Sequence, residues 1–180
     1  MEEMFDALNE NGEFLGKIVS RDEAHQNGVW HRAVVLFVVS HKKQVLMQKR
    51  SLLKKKWPGC WDVSSGGHVE AGEMGLFSAI RELDEELGIN VEPKNVRYIS
   101  GYRSNMKTEK MWDAHFNEFF VAFKDVDIKD IKMQQGEVEE VNWIDFEDFK
   151  KMTRSRDNAL TPKWEAYEAL IRYIERYGIL

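Results

Sequence analysis

The chain predicts an α/β domain, and three observations carry that expectation. Ala33 to Val39 is an unbroken apolar run among further strand-like stretches. Glu73 to Leu87 is an amphipathic helical stretch, and Trp164, Tyr167, Leu170, Ile171 and Ile174 recur at helical spacing near the C-terminus. With 180 residues, 43% of them hydrophobic, the chain suits one domain over 1–180 with a substantial core.

Met4 to Leu8 and Phe14 to Ser20 read as short strands around Asn9-Glu10-Asn11-Gly12. The Asn-Gly pair favours positive φ at a turn, so an N-terminal hairpin is expected over 4–20. Ser20-Arg21-Asp22-Glu23 has the form of a capping box, whose Ser and Glu side chains each accept the other's backbone N–H; the turn it opens ends near His25. His31 to Ser40 and Gln44 to Arg50 form a second hairpin around His41-Lys42-Lys43. Its first arm is apolar almost throughout, the mark of a strand buried on both faces, and its second arm alternates, so both are expected to be central. A basic loop follows, KRSLLKKKWPG, with Lys49, Arg50, Lys54, Lys55 and Lys56 clustered. Such a run is either a solvated loop or a set of cations for phosphate oxygens.

The stretch Glu73 to Leu87 is free of Pro, rich in helix formers and followed by Gly88 as a stop. At about 100° per residue, Leu76, Ile80, Leu83 and Leu87 share one stripe, while Glu82, Glu85 and Glu86 gather roughly 140° away. Like charges at this spacing cost a helix ~0.2–0.5 kcal/mol per pair. Arg81 can offset part of that cost, and a hard divalent cation would offset more. A solvated acidic face is the other reading of the same residues.

Val96 to Tyr102 and His115 to Phe123 read as strands joined by a polar stretch, RSNMKTEKMWDA, and Val138 to Ile144 as another strand. GEVEEVNWIDFEDF runs from acidic to apolar to helix-starting, and Glu137, Glu139 and Glu140 are candidate bases on a late loop. Thr161-Pro162 fits an N-cap followed by Pro, opening a C-terminal helix over 162–177 that covers the sheet.

A formal net charge of −5 argues against binding a nucleic-acid polymer. The apolar run of seven residues is far short of the about 20 that a helix needs to cross a bilayer, so no membrane partner is expected. The N-terminal stretch MEEMFDALNENGEF lacks a basic, then apolar, export signal, and the single Cys60 cannot form an internal disulfide; both point to the cytoplasm.

Gly67, Glu73 and the run Arg81-Glu82-Leu83-x-Glu85-Glu86-x-Gly88-Ile89 together resemble a complete Nudix box. That resemblance implies a Nudix α/β/α sandwich with a mixed β-sheet. It further implies a hydrolase of phosphoric anhydride bonds whose Mg²⁺ or Mn²⁺ sits on the catalytic carboxylates Glu82, Glu85 and Glu86. Gly67, Glu73, Arg81 and Gly88 would hold loop and helix in place. The implied substrate is a small-molecule diphosphate, most simply a nucleoside diphosphate, and a homodimer is a common state in the superfamily.

A narrower likeness is to the branch containing type 1 isopentenyl-diphosphate isomerases, carried by the N-terminal hairpin, KRSLLKKKWPGCW, His25 and His31, and the Gly67-His68 pair. It implies a second metal held by His25, His31, His68 and Glu118, with Phe116 standing where the isomerases have a further glutamate, and diphosphate gripped by Arg50 and Lys55. The isomerase catalytic cysteine is replaced by Gly66, and all three box glutamates are kept. Hydrolysis is therefore expected over the two alternatives, isomerisation and a non-catalytic nucleotide-binding module.

Overall fold

A computed structural model describes residues 2–109 and 111–178. Strands β1 (Met4–Leu8) and β2 (Phe14–Ser20) pair antiparallel as a separate two-stranded sheet. Asn9 Oδ1 accepts the N–H groups of Asn11 and Glu13, and Gly12 adopts φ 84°, which closes the turn. Helix α1 (Arg21–Asn27) starts where Ser20 Oγ accepts the Glu23 N–H and stops at left-handed Gly28.

The main sheet holds β3 (His31–Val39), β4 (Gln44–Arg50), β5 (Trp61–Asp62), β6 (Ser65–His68), β7 (Val96–Lys107), β8 (Trp112–Phe123) and β9 (Val138–Asp145). Its order is β5-β4-β3-β8-β7, with β6 also on β3 and β9 also on β4. Strands β3 and β8 run parallel and the other pairs antiparallel, so the sheet is mixed.

Helix α2 (Gly75–Leu87) covers one face, while α3 (Phe146–Arg154) and α4 (Trp164–Tyr177) cover the other. This explains the unbroken apolar run in β3. Val34, Leu36 and Val38 pack toward Leu83 and Leu87 of α2, and Val35, Phe37 and Val39 toward Phe149, Tyr167 and Leu170. Successive strand side chains point to opposite faces, so a strand between two helix layers has no polar side.

The structure differs from the sequence expectations at several element boundaries. Helix α2 begins at Gly75 rather than Glu73, because the Glu73 N–H bonds back to the Glu70 carbonyl in a preceding turn. Helix α4 begins at Trp164 rather than Pro162, because Thr161 is drawn toward the sheet instead of capping. Its N–H donates to the Trp61 carbonyl and its hydroxyl to Asp62 Oδ1. Most of the polar stretch after Tyr102 extends β7 and β8 into one long hairpin, paired from Val96↔Ala122 to Lys107↔Trp112; Lys110 lies outside the described residues. Polar side chains on both faces leave no alternation there for a sequence reading to detect. The short β5 and β6 are held by backbone pairing rather than by apolar patterning.

Candidate active site

Strand β6 runs antiparallel to β3 with Gly66 opposite Val35 and Gly67 opposite Val34. Helix α2 lies across these glycines. A Cβ on Gly67 would sit 2.2 Å from Glu82 Cδ, so the bare backbone is what lets this carboxylate lie against the strand. One cation braces the turn: Arg81 reaches Glu73 Oε2 (3.3 Å), the His68 carbonyl (3.2 Å), Glu82 Oε1 (2.9 Å) and Glu85 Oε2 (3.2 Å). Glu73 also accepts from Ser78 Oγ at 2.6 Å. Gly88 ends the helix at φ 64°, its N–H donated to the Asp84 carbonyl.

Of the three helix carboxylates, Glu85 is exposed, Glu82 is buried and Glu86 is half-buried. Glu86 Oε2 accepts from Gln48 Nε2 at 3.1 Å and from the Gly66 N–H at 3.3 Å. Burial raises the Glu82 pKa to about 7 against the opposing pull of Arg81. It pushes Glu86 up to about 8, with the Glu82 charge adding to the rise. Two carboxyls forced toward neutrality by burial, with Glu85 adding to the rise at Glu82 and Glu82 to the rise at Glu86, form a donor set that a divalent cation fits, because the ion offsets both the burial cost and the repulsion of their charged forms.

Beside β6, on the α4 side of the sheet, lies a cavity of about 520 Å³. Arg50, Lys56, Asp62 and Lys163 line it together with Trp57, Tyr102, Asn105 and Asn117. Asp62 is buried; burial alone would raise its pKa, but Lys163 and then Arg50 outweigh this and hold it below the usual carboxylate range. From the basic loop the structure brings Arg50 and Lys56 to the cavity. Lys55, expected beside Arg50, is exposed and is not among the lining residues. Trp57 adopts φ 52°, and the neighbouring Lys56 ammonium meets Asp113 Oδ2 at 2.5 Å. Lys54 pairs with Glu137, and Lys49 with Glu140 at 3.4 Å, so two of the late glutamates face lysines.

His25, His31 and His68 come together, and the fourth member of the group is His115, with one donor atom from each within 4.8 Å of the others. The expected Glu118 is not in the group. Parallel pairing sets His31 opposite His115 and Val34 opposite Glu118, so Glu118 shares the α2 face with Val34, against Gly75 and 3.8 Å from Arg32. Asp113 stands two residues before His115 on the histidine side, its Oδ1 3.6 Å from His25 Nε2. His25 Nδ1 and His31 Nδ1 lie 2.7 and 2.8 Å from the Arg21 and Val29 carbonyls. That contact places a proton on Nδ1 and, in the neutral His31 ring, leaves Nε2 as a lone pair. Among the described residues, His31 Nε2 and His115 Nε2 have no hydrogen-bond partner. Burial lowers the pKa of His31 to about 4 and of His115 to about 3, and lowers that of His68 as well, so these rings are neutral.

Several residues at this site carry no sequence signal as a set: Asp62, Lys163, Asp113 and His115.

The family model described as NUDIX domain matches residues 29–164. The chain is 34% identical over 166 residues to Nudix hydrolase 3 of Arabidopsis thaliana, covering 89% of this chain and 22% of that protein; it therefore spans about a fifth of that relative's length. It is 34% identical over 153 residues to an uncharacterized Nudix hydrolase of Listeria innocua, covering 85% of this chain and 86% of the relative. A protein named isopentenyl-diphosphate Delta-isomerase, from Roseobacter denitrificans, is 32% identical over 83% of both chains. The crystal structure of DR0079 from Deinococcus radiodurans superposes with a TM-score of 0.70 at 21% identity, over 95% of this chain and 99% of that one, which shows the shared fold. The chain belongs to the NUDIX domain family, as a Nudix hydrolase in the branch that also holds proteins named as isopentenyl-diphosphate isomerases.

Proposed function

We propose that the domain hydrolyses the diphosphate bond of a small organic diphosphate, a nucleoside diphosphate or derivative, with Mg²⁺ or Mn²⁺ held by Glu82, Glu85 and Glu86. The observation that supports this best is the carboxyl pair Glu82 and Glu86 set against Gly66 and Gly67, with pKa values raised to about 7 and about 8. The cation, when bound, neutralises charge on the phosphates and makes water more acidic. In this reading Glu82, or one of Glu137, Glu139 and Glu140, accepts a proton from the attacking water; Arg81 orients Glu82 and Glu85, and Gln48 and the Gly66 N–H orient Glu86. Arg50 serves the substrate at the cavity, where Trp57, Tyr102, Asn105 and Asn117 suit an aromatic base with hydrogen-bonding edges.

The histidine group is a second metal position in this reading. Four imidazoles favour a borderline ion such as Zn²⁺ or Co²⁺ over Mg²⁺, which takes oxygen ligands. Isomerisation has less support, because Gly66 offers no acid where one is needed. Homodimerisation and a cytoplasmic site of action complete the proposal. Among the described residues no helix is long and apolar enough to cross a membrane.

The test is a panel of nucleoside di- and triphosphates, nucleotide sugars, dinucleotides and isopentenyl diphosphate with Mg²⁺ or Mn²⁺, products resolved by chromatography, with light scattering for the dimer. Anhydride cleavage lost in Glu86→Gln is the expected result. Allylic product at enzyme-like rates, or cleavage unchanged in Glu86→Gln, would overturn it.

A further inference from the structure

Asp62 is 1% exposed and gathers an unusual number of partners. Its Oδ1 accepts the Val63 N–H (2.8 Å), the Thr161 hydroxyl (2.9 Å) and the Lys163 ammonium (2.9 Å). Its Oδ2 accepts Arg50 Nη1 (3.1 Å) and Lys163 Nζ again (3.1 Å). One buried carboxylate needs one cation for charge balance, and the Val63 and Thr161 groups already satisfy part of its accepting capacity. A purely structural tie between α4 and the sheet would be complete with Lys163 and Thr161 alone. The second cation is beyond what Asp62 alone requires; the other carboxyl that Lys163 faces, Glu86, is held toward neutrality by burial, and both cations line the cavity.

Where that excess charge lies is also informative. A Cβ on Gly66 would stand 3.7 Å from Lys163 Nζ and 3.0 Å from the Val34 carbonyl, so Lys163 approaches bare backbone. The Gly66 N–H is the same group that donates to Glu86 Oε2. A single glycine therefore lies between Glu86 of the box helix and Lys163. Arg50 spends Nε on the Lys56 carbonyl and Nη1 on Asp62, which fixes its plane and leaves its remaining N–H groups as donors.

The geometry points to Lys163 as a substrate-binding residue: with Arg50, and held in place by buried Asp62, it forms a two-cation cradle for one phosphate group of the diphosphate at the box end of the cavity. This rests on the reading of the box as the site of hydrolysis. Arg50 meets the phosphate as a planar fork and Lys163 as a point charge, while the rest of the cavity receives the attached group. Asp62 is a positioning residue that touches the cations and not the substrate.

The probe is methylenediphosphonate, whose P–C–P link resists hydrolysis, titrated calorimetrically in the presence of Mg²⁺ into the wild-type protein and into Lys163→Gln, Lys163→Ala and Lys163→Arg. Lys94→Gln, at a surface position remote from the cavity, controls for net charge. Dissociation constants should rise at least tenfold in Lys163→Gln and Lys163→Ala, stay within about threefold in Lys163→Arg, and not change in Lys94→Gln. KM for the best substrate should rise with them, and more than kcat falls. The Lys163 side chain is partly exposed and makes no helix-cap bond, so these variants should fold; circular dichroism checks this, and either truncation alone suffices. Wild-type affinity and KM in a folded truncation overturn the cradle even if the protein cleaves anhydrides. Conversely, Lys163-dependent binding of the diphosphonate in a protein that cleaves no anhydride supports the cradle and sinks the hydrolase reading instead.

Discussion

Gly67 and Glu82 occupy one volume between them: a methyl group on residue 67 would sit 2.2 Å from the Glu82 carboxyl carbon and 2.3 Å from its Oε1. Gly67 is not among the residues with positive φ, so its backbone is open to any side chain and the close approach alone calls for glycine. The colliding atoms are the far end of a flexible chain, which can swing aside. Gly67→Ala should therefore fold with a stability change of about 1 kcal/mol or less, and lower kcat by about 100-fold because Glu82 is displaced by an ångström or more. Thermal unfolding together with steady-state kinetics checks both parts; a variant with unchanged kcat would remove Glu82 from the chemistry.

The raised carboxyls make a prediction about pH. Glu82 and Glu86 titrate near 7 and 8 in the folded chain against an ordinary value of 4.5, so the folded state holds protons that the unfolded chain has released. The stability they contribute is complete below pH 4.5 and is lost as pH rises through 7 and 8. His31, His68 and His115 act in the opposite sense: their depressed pKa values cost stability only as pH drops below 6.5. Between pH 6.5 and 8.5 only the carboxyls matter among these groups. The Tm of metal-free protein should fall by several degrees across that window, the fall should shrink in Glu86→Gln, and added Mg²⁺ should raise Tm more at pH 8.5 than at pH 6.5. Calorimetry over the window decides it, and a Tm that climbs with pH in chelator would contradict the assignment.

How far the sequence reached depends on how local each feature is. The box is one contiguous stretch, so Arg81, Glu82, Glu85 and Glu86 could be placed on one helix from spacing alone, and the apolar Ala33 to Val39 run marked the strand between two layers. The cavity is not local: Asp62 and Lys163 stand 101 residues apart and meet only because Thr161 is pulled to the sheet before α4 begins. Strand parity also escaped a match of positions. Phe116 and Glu118 aligned with expected ligands, but pairing of His31 with His115 puts the odd-numbered side chains of β8 on the histidine side.

That parity can be tested with Co²⁺, whose visible spectrum reports imidazole coordination. Wild-type protein should bind one Co²⁺ or Zn²⁺ at the histidine group, and His115→Ala and His31→Ala should each lose it. Glu118→Gln should retain it, since Glu118 lies on the other face of β8 beside Arg32. Loss of the spectrum in Glu118→Gln and retention in His115→Ala would return the fourth ligand to Glu118.

The basic loop offers the sharpest contrast between neighbours. Lys55 and Lys56 are adjacent and chemically identical, and a reading of the loop by resemblance selects Lys55 as the partner of Arg50. The structure puts Lys55 in solvent and Lys56 on the cavity wall, its ammonium against a buried Asp113 carboxylate, while Arg50 reaches in from the end of β4. An exposed lysine pays for ordering its long side chain and is screened by salt, so its contribution to binding is small. A cation on the wall of a partly enclosed cavity loses a charge-assisted hydrogen bond when truncated, about 1.5–3 kcal/mol or roughly 10- to 150-fold in KM. Arg50→Ala and Lys56→Ala should therefore raise KM by that much, and Lys55→Ala by less than about twofold. Removing Lys56 also leaves Asp113 short of its cation, which adds a modest loss of stability that unfolding curves will separate from the effect on binding. Kinetics on the three variants at low and high salt settle the matter. A large effect at Lys55 with none at Lys56 would mean that the loop rearranges when substrate binds.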